Sequence, residues 1–200
     1  MRLCQKRLRQ HQPLLFLLRP NHHQLSRAMT FNRVPAIFAT FLLLFLLQES
    51  LLNKIDFFIG GFSLYLAFFM AWIMQDERNS AVATGFIAGF IADLSPTLEA
   101  PFGLWTFILT AMSYVMATNV RAALDAELSP VVMSAVTVIG SSIALFSFVI
   151  CGAILGQEVG STSYVIQEIF GNALWALLLS PLYVPVAIGV YRATLTARNR

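Results

Sequence analysis

The stretch GFIAGFIADLSPTLEAPFG, residues 85–103, begins as a membrane helix would and then departs from one. Gly, Ala, Phe and Ile run up to Asp93, and Pro96 and Pro101 follow on either side of Glu99. Ala81, Gly85 and Gly89 are spaced four apart, with Ala88 and Ala92 on the neighbouring stripe. That spacing of small residues lets a second helix approach closely. Asp93 continues the same face, so it should point at protein rather than lipid, where a carboxylate needs a partner. From Ser80 it lies thirteen residues in, roughly 20 Å along a helix, which puts it in the outer part of a hydrocarbon layer about 30 Å thick. The two prolines should end one helix and open the next, since proline fits a first turn and disrupts an interior.

Working outward, the rest of the chain supports lipid as the solvent. Of its 200 residues 58% are apolar and only 12% charged, about half the charged share of soluble domains. The apolar residues come in blocks that predict six spans, near 34–52, 57–74, 80–97, 102–119, 131–155 and 164–190. Backbone groups in lipid must pair within their own segment, and the ten-residue alternation of a barrel strand is absent from the sequence. The expected fold is an all-α integral membrane protein, a compact bundle of six transmembrane helices. In it Trp72, Tyr191 and Arg192 should mark the inner interface, Pro181 and Pro185 should kink the last span, and a Gly pair (Gly60, Gly61) should open the second.

Charge sets the orientation. Seven Lys or Arg precede the first span, and the connecting segments then hold Lys54, Arg78, none, Arg121 and none, with Arg192, Arg198 and Arg200 after the last. With both termini cytoplasmic, twelve basic residues lie inside and one outside, as the positive-inside rule demands. The net charge of +3 therefore reports topology, and no nucleic-acid partner is expected. The organisation read is a basic tail over 1–33, the six-helix domain over 34–192 and a short basic tail over 193–200. Residues 1–33 hold all three histidines and no acid, and two readings stay open for them. They are a tail drawn to anionic lipid, or, preferred, an extension ahead of a natural start at Met29. A cleaved signal peptide does not fit, because no small-residue cleavage site follows the apolar run from Val34.

Catalytic chemistry is sparse. HExxH, GxSxG and phosphate-loop motifs do not occur, and no histidine lies in a span. Cys4 and Cys151 are too far apart in the layout to form a disulfide or a metal site, and adjacent His22 and His23 diverge. Asp93 and Glu99 as an acid–base pair lack a nucleophile and an orienting base. No enzyme activity, cofactor or metal is expected. The candidate residues are instead helix-packing or partner contacts: Gly85, Gly89, Asp93, Gly103 in the turn APFGLW, and Asn172, one turn after Glu168.

The order of these features resembles that of the MreD family of rod shape-determining membrane proteins. The resemblance runs through LLQESLLNKIDFFIGGFSLYLAFFMAW, is sharpest at GFIAGFIADLSPTLEAPFGLWTFILTAMSYVMA, and resumes at FGNALWALLLSPLYVP, covering about residues 34–198. It rests on the sequence of features, since single positions are apolar and unspecific. It implies a non-catalytic scaffold in the cell-elongation complex of the bacterial inner membrane, supporting peptidoglycan synthesis. The implied partners are an MreC-like protein and, indirectly, the MreB filament, a RodA-type glycan polymerase and a transpeptidase. The implied fold is similar to the substrate-binding subunits of energy-coupling-factor transporters. That likeness supplies the alternative function, a subunit binding a small vitamin-type molecule, since broken helices often mark binding sites.

Overall fold

The computed structural model describes residues 33–54, 60–95, 101–120, 129–157 and 161–196. Of these, 85% are helical and none is in a strand. The described residues form six α-helices: α1 (Val34–Ser50), α2 (Leu64–Ile73), α3 (Arg78–Ala92), α4 (Leu104–Val115), α5 (Pro130–Ile154) and α6 (Thr162–Thr196). A short 3₁₀ turn, Leu52–Lys54, follows α1, and a π turn, Met116–Val120, extends α4. From Pro35 onward the chain is one compact unit. The readings of residues 1–32, of Pro96, Glu99 and Arg121, and of the last four residues lie outside the described residues.

Helix length separates the elements. α5 has 25 residues and α6 has 35, with mean hydropathy near 2 in their most apolar windows, so both are long and apolar enough to cross a membrane. α1 and α2 are shorter apolar helices of 17 and 10 residues. The expected second span was longer, and local chemistry explains the difference. Gly60 has φ +57° and stands outside any helix. A Cβ there would meet the carbonyl oxygen of Gln167 at 2.6 Å, so the glycine pair presses against α6 instead of opening α2. The Ser63 Oγ then accepts from the Leu66 N–H at 3.3 Å and starts the helix, as a serine cap does. Pro101 likewise stands ahead of α4, which begins at Leu104 behind Gly103. α6 runs through Pro181 and Pro185 without interruption.

α2 is the centre of the bundle: every residue from Tyr65 to Ile73 is buried. Phe41 of α1 meets the rings of Tyr65, Phe68, Phe69 and Trp72 edge-on, with centroids 5.7–6.4 Å apart, the arrangement aromatic quadrupoles favour. Trp72 is fully buried and stands edge-on to Tyr191 at 5.4 Å. Both rings, expected near the inner interface, are buried against one another within the bundle. The side-chain contacts below show successive helices reversing direction. The near end of the bundle is where α1 starts and α6 finishes, and the far end is opposite.

Candidate functional site

The far end of the described bundle holds most of the residues singled out from the sequence. There the seam between α3 and α4 is unusually close. Gly85 and Gly89 are both buried. A Cβ on Gly85 would lie 2.7 Å from the carbonyl oxygen of Leu109 and would overlap Ser113 Oγ. A Cβ on Gly89 would overlap the Thr106 backbone and stand 2.7 Å from the Trp105 carbonyl oxygen. Backbone cannot move aside as a flexible side chain can, so both positions require glycine for the helices to meet.

Asp93 is the residue after α3 and is only 7% exposed. Its carboxylate accepts from the backbone N–H groups of Trp105 and Thr106, both at 2.9 Å, and from Thr106 Oγ1 at 2.6 Å. Those N–H groups belong to the first turn of α4, where no intrahelical acceptor exists. The residue in α4's own capping position is Gly103, whose φ of +99° is left-handed and which has no side chain to offer. Nothing lies within 4 Å of a Cβ built there, so the positive φ, and not close packing, is what glycine serves at this position. Asp93 thus caps a helix other than its own, with a negative charge at the positive end of the α4 dipole.

Asn172, 2% exposed on α6, makes a second staple. Its Oδ1 accepts from the Ser63 N–H at 2.9 Å and its Nδ2 donates to Ser141 Oγ at 3.4 Å, joining α6 to the start of α2 and to α5. Its partners are thus distinct from those of Asp93. On α1, Gln48 Nε2 donates to the Phe62 carbonyl at 3.1 Å and Glu49 accepts from Ser95 Oγ at 2.7 Å. Among these groups lies a cavity of about 200 Å³ lined by residues of α1, α2, α3, α4 and α5.

The near end holds a residue the sequence did not flag. Asp76, in the short connection between the expected second and third spans, is fully buried and accepts from Thr84 Oγ1 at 3.0 Å. The pair is eight residues apart across a turn and a helix start, and no helical or strand period links such positions. Beside it Arg78 donates to the Tyr114 hydroxyl at 2.9 Å with its guanidinium 5.0 Å from the ring centre. The Tyr191 hydroxyl donates to the Gln75 carbonyl at 2.9 Å.

Chemically, these groups hold helix to helix. Among the described residues no three His, Cys, Asp or Glu side chains converge as metal ligands would. The fold and these contacts define an all-helical protein with two helices of membrane-crossing length and apolarity, which associates it with membranes. No protein-family model, curated protein or solved structure matches the chain.

Proposed function

We propose that this chain is a non-catalytic multi-pass scaffold of the MreD type, crossing the bacterial inner membrane six times with both termini in the cytoplasm. The observation that carries the reading is Asp93: the acidic group inside the sharpest part of the resemblance caps α4 and holds a hairpin together. A group so engaged, beside the close glycine seam, suits a protein whose work is to present helix surfaces. The exposed faces support a lipid setting, because Phe86, Phe107, Ile139, Phe146, Leu178 and Leu182 all point outward. Large apolar side chains exposed on four helices suit a lipid solvent better than water. The twelve-to-one division of Lys and Arg supports the orientation.

In this role the chain binds an MreC-like protein and, through it, joins the MreB filament, the RodA-type polymerase and the transpeptidase. Depletion should make rod-shaped cells round up, and an MreC-like protein should co-purify in gentle detergent. A periplasmic phosphatase fused after Arg200 should be inactive; activity there would defeat the six-crossing topology. The second reading, a vitamin-type transport subunit, draws on the far-end cavity. It expects co-purification with an ATPase module instead, and rescue of both growth and shape by an external nutrient.

A further inference from the structure

The last part of α6 is held to the bundle differently from the rest of the helix. Pro181 and Pro185 stand one turn apart inside it. A proline offers no N–H to the carbonyl four residues before it, and its ring presses against that carbonyl. At the first proline a side chain substitutes: Ser180 Oγ donates to the Leu177 carbonyl at 2.8 Å. At the second, the residue in the equivalent place is Val184, which has no hydroxyl to offer. Two successive turns of α6 therefore lack a backbone bond, and such places are where helices bend.

Ahead of the prolines α6 is anchored by the Gly60 contact at Gln167 and by the bonds of Asn172 to Ser63 and Ser141. Beyond them, only Ala187 and Tyr191 are buried among residues 186–195. Tyr191 carries the attachment to α2, with its hydroxyl on the Gln75 carbonyl at 2.9 Å and its ring edge-on to Trp72 at 5.4 Å. On the other side of the prolines is a groove of about 420 Å³, between Pro130 and Ser134 of α5 and Pro181, Pro185 and Ile188 of α6. Both proline rings line it, so their clash with the preceding turn presses the end of α6 off α5 and toward α2.

The seat on α2 is imperfect. Trp72 Nε1 and Tyr183 Oη are buried and have no hydrogen-bond partner among the described residues. Trp72 is the ring that Tyr191 covers, and Tyr183 lies between the two prolines with its ring 6.5 Å from that of Phe62. A buried polar group left unpaired costs free energy, which a second arrangement that uncovers it recovers.

We propose that residues 186–196 form an arm that pivots at Pro181–Pro185 between two seats. One is the seat on α2 described above. The other lies against α5 with the groove closed, and there the near end presents the Trp72 indole edge and the Gln75 carbonyl. The hinge is local, and the inference does not depend on the scaffold reading. Cell rounding on depletion tests that reading, and distances within the chain test this one.

The test uses the full chain carrying Cys4→Ser and Cys151→Ser, purified in detergent, with pairs of spin labels on introduced cysteines and distances read by pulsed electron resonance. Glu77→Cys with Ala193→Cys reports the arm against the end of α2, and Ala135→Cys with Ala193→Cys reports it against α5. Ile154→Cys with Phe170→Cys reports α6 ahead of the prolines, and all these positions are exposed. Two distances are expected for each arm pair, the second longer for 77–193 and shorter for 135–193, with a single distance for 154–170. Tyr191→Phe, which removes one hydroxyl, should raise the second population relative to the first about fivefold, the factor of an average hydrogen bond. Pro181→Ala with Pro185→Ala should leave one distance in each pair. A single distance in both arm pairs that Tyr191→Phe leaves unchanged overturns the proposal, and that comparison needs no proline variant to fold. Changes of the same sign in the two arm pairs, or a second distance in 154–170, overturn it as well. Two distances that persist without the prolines also overturn it, because the pivot then lies elsewhere.

Discussion

The α3–α4 pair and the α5–α6 pair solve the same problem in opposite ways. α3 and α4, of 15 and 12 residues, meet along glycines and are joined by a buried carboxylate. α5 and α6 are far longer, and only 28% of the most apolar window of each is buried. Their link through Asn172 and Ser141 is a single bond of 3.4 Å. On the six-crossing reading proposed above, short helices gain little from apolar contact in lipid, where tails are as apolar as leucine, so close packing and hydrogen bonds must hold them. On the same reading the two long helices would be retained by the hydrocarbon layer itself.

Substitutions can break that contrast, and the largest effect is expected at Gly89. Gly89→Leu should destabilise the bundle by about 3 kcal/mol or more, because its side chain would occupy the Thr106 backbone. Chemical unfolding in detergent measures this, and an unchanged midpoint would mean that α3 and α4 do not meet there. Asp93 comes next. Asp93→Ala strips the first turn of α4 of three hydrogen bonds and should cost about 2 kcal/mol. Asp93→Asn keeps one acceptor oxygen and should cost less than that. Equal losses from the two would show that charge, and not capping, is what matters.

Asn172→Ala, on the longer pair, should cost about 1 kcal/mol, since it leaves the Ser63 N–H without its acceptor. The smallest effect belongs to Gly189 on α6. Nothing lies within 4 Å of a Cβ built at this position, so Gly189→Ala should change stability by no more than about 0.5 kcal/mol. A large loss at Gly189 would erase the distinction between the two pairs.

Much of this was legible in the sequence because helical periodicity is local. The four-residue spacing of Ala81, Gly85 and Gly89 predicted a close seam, and Asp93 on that face predicted a carboxylate turned toward protein. What the spacing could not name was the partner, because α4's bare first turn follows from Gly103 being in its capping position. Span 2 was read as starting too early because Gly60, Gly61 and Phe62, inside an apolar run, lie outside any helix. The serine at 63, followed by LYLAFF, was the available signal for a helix start. Asp76 escaped for another reason. Its burial is created by packing around a turn, and QDERNS carries the composition of an exposed one.

The two staples at the far end also differ in the length of chain they close. Asp93 and Thr106 are 13 residues apart, whereas Asn172 and Ser63 are separated by 109. For a flexible chain the longer loop loses about 2 kcal/mol more entropy on closure. The carboxylate clasp is therefore a local event, able to form as soon as the first turn of α4 exists. The amide clasp must wait until almost the whole chain has been made. Of the two, only the carboxylate clasp can fix its hairpin before the later helices exist.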